Sequence, residues 1–119
     1  METIIGVNYD KLSFEQNEEG MFDIMIKHNN NNYRTGFVYD SINLLNQYQL
    51  RVSQTDSNGN KKYGLIVVCL RELVFPCIFD SIKPYKNLVV KAFIGDEEFY
   101  ITHQGEVYNS DFWKIYHKE

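Results

Sequence analysis

The chain has little of what most active sites and scaffolds are built from: two cysteines, two prolines, one tryptophan and three histidines in 119 residues. Two cysteines are too few for a disulfide framework. Cys69 and Cys77 both lie inside apolar stretches and read as buried, reduced thiols. His28, His103 and His117 fall in separate loops or the tail, with no cysteine or carboxylate at ligand spacing, so neither a metal site nor a cofactor is expected. Glycine-rich phosphate loops, nucleophile elbows and HExxH are missing, and the seven glycines are spread over turn positions. The N-terminal METIIGVNYDKLSF has an early acid and no basic flank before its apolar core, unlike a secretory signal. No apolar run approaches the roughly eighteen residues of a spanning helix, so no membrane role is expected and the default location is the cytoplasm.

A strong excess of charge of one sign is also lacking. The formal net charge is −4, and Lys61, Lys62, Lys83, Lys86 and Lys91 are scattered through predicted turns. Binding driven by phosphate contacts is therefore not favoured, and nucleic acid is an improbable direct ligand. What is abundant is aromatic surface: nine tyrosines and eight phenylalanines. Such a composition suits sheet faces and binding surfaces alike. The length suits one β-rich domain over residues 1–119.

The chain is organised around residues 60–82, NKKYGLIVVCLRELVFPCIFDSI. Leu65 to Leu70 form a short, β-branched apolar run typical of a buried strand. Arg71 and Glu72 interrupt it, and Leu73, Val74 and Phe75 return as the second arm of a hairpin. Pro76 cannot donate to a ladder, so it ends the returning strand or lies on an edge. Phe79-Asp80-Ser81-Ile82 closes the unit. The same aromatic-Asp-polar-aliphatic pattern stands at Tyr39-Asp40-Ser41-Ile42, forty positions earlier, and at Tyr9-Asp10-Lys11-Leu12, thirty before that. Recurrence at such spacing is the mark of a tandem array, here of about three degenerate repeats.

These residues resemble the WG-repeat (KWG) β proteins, whose units open Gly-Lys-Trp-Gly-aliphatic-aliphatic and close Pro-x-Tyr-Asp-x-Ile. Lys62-Tyr63-Gly64-Leu65-Ile66 matches the opening, with Tyr63 in place of Trp, and Pro76 to Ile82 matches the close. The other units depart further: Asp23 and Tyr100 stand where the glycine belongs, and no proline precedes Tyr39. The resemblance spans about residues 20–108 and implies a mostly β fold that binds. It implies no shared active site, so no catalytic residue is carried over.

Elsewhere, Phe22, Ile24 and Ile26 alternate with Asp23, Met25 and Lys27 as a half-buried strand. Asn29 to Asn32 make a polar loop, and Ile42, Leu44 and Leu45 make a helical turn or a bent strand. Asn58-Gly59 is the strongest turn signal. Leu88 to Ile94 and Phe99 to Thr102 supply further hairpins. The tail NSDFWKIYHKE closes the domain with a short helix or a final strand. The expected fold is mostly β, a single domain of antiparallel hairpins, barrel-like or open.

Asp40 and Asp80 recur with the repeat, and turn carboxylates commonly accept backbone amides. Asp96, Glu98, His103 and Glu106 are the only group from which a small hydrolase site is drawn. The aromatics remain the lead. Tyr33, Tyr48, Tyr85, Tyr100, Trp113 and Tyr116 are the expected partner-binding residues, because so many large rings cannot all be buried in one small domain. The function that follows is a non-enzymatic protein-binding module with one protein partner. Immunity proteins and phage-encoded inhibitors of a host defence nuclease, such as an anti-CRISPR acting in the host cytoplasm, belong to this class. The rivals are a nucleic-acid-binding accessory protein, with the lysines gathered beside Tyr85, and the hydrolase.

Overall fold

A computed structural model describes residues 2–3, 12–28, 31–68 and 72–109. The closing tail, with Trp113 and Tyr116, lies outside the described residues, as do Tyr9, Asp10, Cys69 and Arg71. Among the described residues the fold is all sheet, with no helix. Twelve strands make three open, antiparallel, four-stranded sheets. The first sheet holds β1 (Glu2–Thr3), β2 (Leu12–Gln16), β3 (Phe22–His28) and β4 (Asn31–Arg34) in that order. The middle sheet holds β5 (Ser41–Asn46), β6 (Gln49–Thr55), β7 (Lys61–Val68) and β8 (Glu72–Phe79). The third holds β9 (Ser81–Pro84), β10 (Val90–Ile94), β11 (Glu97–Ile101) and β12 (Val107–Asn109).

The centre of the middle sheet is covered on both faces, which explains the unbroken apolar run in β7. Ile66 and Val68, with Leu50 and Val52 of β6, pack against Ile24, Ile26 and Tyr39 from the first sheet and its exit. Leu65 and Val67 turn the other way, onto Ile82, Val90, Ala92 and Ile101 of the third sheet. Strand side chains alternate between faces, so a strand buried on both sides must be apolar at every position. β10 has only one face in the core: Val90 and Ala92 are buried while Lys91 and Phe93 are half-buried.

Four sequence expectations are refined. Glu72 is not in the hairpin turn; it already belongs to β8 and is the register partner of Val68. Pro76 does not end the strand but lies in the middle of β8, which is the edge of its sheet, where a missing donor is tolerated. Ile42 to Leu45 form a bent strand, with a register shift between Leu44 and Asn46. The strand predicted from Leu88 begins at Val90, because Asn87 and Leu88 both adopt left-handed backbone (φ 56° and 62°) and turn the chain.

Each described aromatic-Asp pair is the hinge between one sheet and the next. Tyr39 bridges back to Phe22 of the first sheet and Phe79 pairs with Tyr63 of the middle one; both rings are buried. The aspartate that follows then fastens the next sheet. Asp40 donates its N–H to the Ser53 carbonyl at 2.9 Å, and its carboxylate accepts from the Ser53 hydroxyl and, at 2.7 Å, from the Thr55 hydroxyl. Asp80 donates its N–H to the Phe93 carbonyl at 2.7 Å, and its carboxylate accepts from the Gly95 N–H at 2.7 Å and pairs with Lys62. The recurring aspartates are therefore structural carboxylates bonded to local groups.

Asp40 and Asp80 are both held below the usual carboxylate range. At Asp40, partial burial pushes upward, but the Ser53 and Thr55 hydroxyls and the Lys61 ammonium, at 3.9 Å, together outweigh it. A folded pKa below the ordinary value of 3.8 means that Asp40 adds stability that is complete above that value and lost as pH falls through the lower one. The melting temperature of the wild type is thus expected to fall more between mildly acidic and strongly acidic buffer than that of Asp40→Asn. Equal losses in the two proteins, by calorimetry, would refute the role given to this carboxylate.

Candidate functional site: the outer face of the third sheet

Antiparallel register places residues opposite one another on the same face. In the third sheet Lys83 is opposite Lys91, Lys91 opposite Tyr100, and Tyr100 opposite Tyr108, so one row crosses all four strands. The neighbouring row sets Phe93 opposite Ser81 and Glu98. These residues occupy the face turned away from Ile82, Val90, Ala92 and Ile101, and hence away from the core.

The row is built as a stack of rings and cations. Tyr85, in the β9–β10 turn, meets Tyr100 edge-on with centroids 5.4 Å apart, and Val89 and Tyr108 complete the cluster. The Lys91 ammonium lies 4.5 Å from the Tyr85 centroid and 5.5 Å from that of Tyr100, and pairs with Glu98 at 3.3 Å. Lys86 approaches the same Tyr85 ring at 5.6 Å, and Lys83 approaches Phe93 at 5.9 Å. Such contacts are electrostatic attractions to the negative ring face, worth roughly 0.5–1 kcal/mol when exposed. The Tyr100 hydroxyl donates to Glu98 at 3.1 Å. Burial, then the Glu98 carboxylate, pushes the Tyr100 phenol upward; burial, then Glu106, does the same at Tyr108, so both stay protonated at neutral pH.

The turn carrying Tyr85 is conformationally tense. Leu88 has no glycine-like freedom, yet it sits at φ 62° directly after Asn87 at φ 56°. Left-handed backbone at a non-glycine residue persists where surrounding structure imposes it, and such positions gather at binding sites. Here the turn is closed by the Tyr85 N–H on the Val89 carbonyl at 2.9 Å and the Val89 N–H on the Lys86 carbonyl at 3.2 Å. Tyr85 and Lys86 are thereby held over the sheet.

The sequence-expected site residues divide. Tyr85 and Tyr100 are brought together, but Tyr100 is not an exposed anchor. It is only 3% accessible, because Tyr85, Tyr108 and Val89 pack around it, so it supports the face instead of presenting itself. Tyr48 lies in the β5–β6 turn, half-buried, with its ring 5.2 Å from that of His103 and tilted to it by 39°; this ties the middle sheet to the third and leaves His103 half-buried. Tyr33 belongs to β4 of the first sheet, away from this face. Phe93, Tyr108 and the ring-facing placement of Lys91 were not in the sequence reading of the site. The period-two spacing of Lys91 and Phe93 carries that signal, once their strand is known to have one core face.

The hydrolase residues do not converge. Asp96 is exposed in the β10–β11 turn and His103 lies at the opposite end of β11, while Glu98 is committed to Lys91 and Tyr100. Among the described residues no group of three or more His, Cys, Asp or Glu is placed to hold a metal ion. Cys77 is half-buried beside Tyr39 and Asp40, and burial, reinforced by the Asp40 charge, pushes its thiol up to about 11, which keeps it protonated. Of the lysines expected to gather beside Tyr85 in a nucleic-acid binder, Lys86 and Lys91 do so and Lys83 lies on the same face over Phe93; Lys61 and Lys62 instead pair with Asp40 and Asp80.

Among the described residues no helix is long and apolar enough to cross a membrane. Comparison with protein-family models, with curated proteins and with solved structures found no match.

Proposed function

We propose that the chain is a non-enzymatic protein-binding module whose contact surface is the outer face of the third sheet, centred on Tyr85, Lys91 and Tyr108. The observation that carries this reading is the gathering of three tyrosines and three lysines on one sheet face, with Tyr85 and Tyr108 half-buried and Lys83 and Lys86 exposed. Interface centres favour rigid aromatic rings that have little rotamer freedom to lose. Immunity proteins and phage-encoded inhibitors of host defence nucleases are the class in which a contact surface alone suffices for activity.

Capture of partners by the tagged protein from lysate of its native host, with and without nuclease treatment, tests the reading. One stoichiometric protein partner is expected in both arms. Tyr85→Ala and Tyr108→Ala should each weaken its capture about tenfold or more, as truncation of an interface anchor does. Capture unaffected by both substitutions would defeat the proposal. A second reading, single-stranded nucleic acid stacked on Tyr85 and Phe93, draws on the three lysines beside those rings. Loss of capture on nuclease treatment would favour it.

A further inference from the structure

We propose that Asn58 is a site of spontaneous deamidation and that Asp56 governs its rate by holding the β6–β7 turn shut. Asn58-Gly59 is the one Asn-Gly pair in the chain. A glycine after asparagine leaves the peptide nitrogen unshielded by any side chain, and no atom lies within 4 Å of where a Cβ on Gly59 would stand. Ser57, Asn58, Gly59 and Asn60 are all exposed, so water reaches the pair. The reaction needs only the chain and that water. The Gly59 nitrogen, having shed its proton, attacks the Asn58 side-chain carbonyl carbon; a C–N bond forms, the bond to Nδ2 breaks, and the departing nitrogen takes up a proton and leaves as ammonia. A five-membered succinimide results. Water then opens the ring at one carbonyl or the other, giving aspartate or isoaspartate, each of which adds a negative charge where asparagine had none. The isoaspartyl product also routes the main chain through the former side chain, which inserts a further carbon into the turn joining the two central strands of the middle sheet.

Hydrogen bonds in the turn oppose the attack. The Gly59 N–H, whose proton must be lost, donates to the Asp56 carbonyl at 3.0 Å. The Asp56 carboxylate accepts the Asn58 N–H at 2.9 Å and the Asn60 N–H at 2.8 Å, and the Asp56 N–H donates to the Asn60 carbonyl at 2.8 Å. Asp56 therefore fastens the chain on both sides of the reacting peptide bond. Nucleophile and carbonyl carbon meet only in the fraction of molecules whose turn has opened. The same turn at residues 17–21 and 102–106 sets Glu19 and Gln104 before its glycine. Glutamate has no amide nitrogen to expel, and glutamine would have to close a six-membered ring, so the chemistry falls to Asn58. Asn17 shows that an amide oxygen can do the work of Asp56: its Oδ1 accepts the Glu19 N–H at 3.0 Å and the Met21 N–H at 2.9 Å. Asp56→Asn is thus the variant that keeps the turn and removes the charge.

The full-length protein, incubated at neutral pH with and without guanidinium chloride and followed by peptide mass spectrometry, tests this. Fragmentation assigns each deamidation to its asparagine. In the folded protein Asn58 is expected to be the first asparagine modified, at least about tenfold more slowly than in denaturant, because reaction waits on opening of the turn. Asp56→Ala should speed it about fivefold or more, while Asp56→Asn should stay within about twofold of the wild type, since the amide restores the turn bonds. Since the rate is read at each asparagine separately, an unfolded variant is recognised by acceleration everywhere, and the comparison of folded with denatured wild type stands without any variant. Other asparagines modified ahead of Asn58 in the folded protein would overturn the site. Equal rates at Asn58 with and without denaturant, or Asp56→Ala no faster than the wild type, would overturn the control by the turn. Asp56→Asn as fast as Asp56→Ala would overturn it too, by showing that the charge of Asp56 and not its hydrogen bonds slows the attack.

Discussion

Gly64→Ala is expected to lower stability by about 2–4 kcal/mol, at or above the usual 1–3 kcal/mol for an added methylene, because the obstacle is backbone. A Cβ on Gly64 would lie 2.6 Å from the Phe75 carbonyl oxygen, 3.0 Å from the Cys77 sulfur and 3.1 Å from the Pro76 carbonyl carbon. Opposite Gly64 the edge strand bulges: Tyr63 pairs with Phe79 and Leu65 with Phe75, so two steps on β7 face four on β8. Only a residue without a side chain lets the bulge close onto the sheet. Gly59→Ala is the control. Gly59 has open space around its Cβ and costs only its left-handed backbone (φ 83°), roughly 1 kcal/mol. Urea unfolding of both variants decides the matter; a Gly64→Ala loss no larger than that of Gly59→Ala would show that the bulge shifts freely.

Ile82→Ala and Phe79→Ala should each cost roughly 2–5 kcal/mol, as truncation of a well-packed core residue does. Ile82 is fully buried and Phe79 is 6% exposed, both in the cluster between the middle and third sheets. Phe79 also meets Phe99 edge-on, with centroids 6.4 Å apart. Their neighbour Ile78 is 51% exposed, so Ile78→Ala should change stability little. Chemical denaturation giving the same midpoint for Ile82→Ala as for Ile78→Ala would contradict the layered core. Because the three residues belong to one short stretch of chain, position along the sequence cannot account for a difference among them.

Much of the fold was legible because it is written in local signals. The Leu65 to Val68 run declared a strand with no polar face. The turn at Asn58-Gly59 follows from Asp56, whose side chain accepts the Asn58 and Asn60 N–H groups at 2.9 and 2.8 Å. The same five-residue turn is made by Asn17 before Met21 and by Thr102 before Glu106, each with a glycine in the left-handed position. Those two also read as turns from their polar residues and glycine, although Asn, Asp and Thr perform one job under three names.

What escaped the sequence depends on register. Asp23 looked like the polar side of a half-buried strand, yet it is 2% exposed, because Arg34 clamps it through Nε at 2.7 Å and the Gly36 N–H reaches it at 3.0 Å. Asp23 stands one residue after Phe22, as Gly64 stands one after Tyr63. In the first sheet a carboxylate reaches out to the irregular segment, whereas in the middle sheet the bulge closes directly onto a glycine. Likewise Tyr100 was read as exposed because its partners, Tyr85 and Tyr108, come from the β9–β10 turn and from another strand. Cross-strand neighbours are set by pairing, and pairing is not visible in composition or period.

Because the centre of the middle sheet, from Leu50 and Val52 to Leu65, Ile66, Val67 and Val68, is buried from both sides, the two outer sheets are not interchangeable with it. Each outer sheet carries a polar exterior, the Asp23–Arg34 clamp on one side and the lysine–tyrosine row on the other, and so acts as a lid for what lies between. Removing either lid would strip a whole apolar wall bare, and the remnant would precipitate or seek a substitute cover. Lengthening the protein by copying the central layer, in contrast, would add exterior only along the edge strands, where Leu44, Val74 and Ile78 are exposed. The architecture therefore permits growth from the inside while forbidding loss at the ends, and the aromatic-Asp hinge is the joint at which such a copy would be spliced.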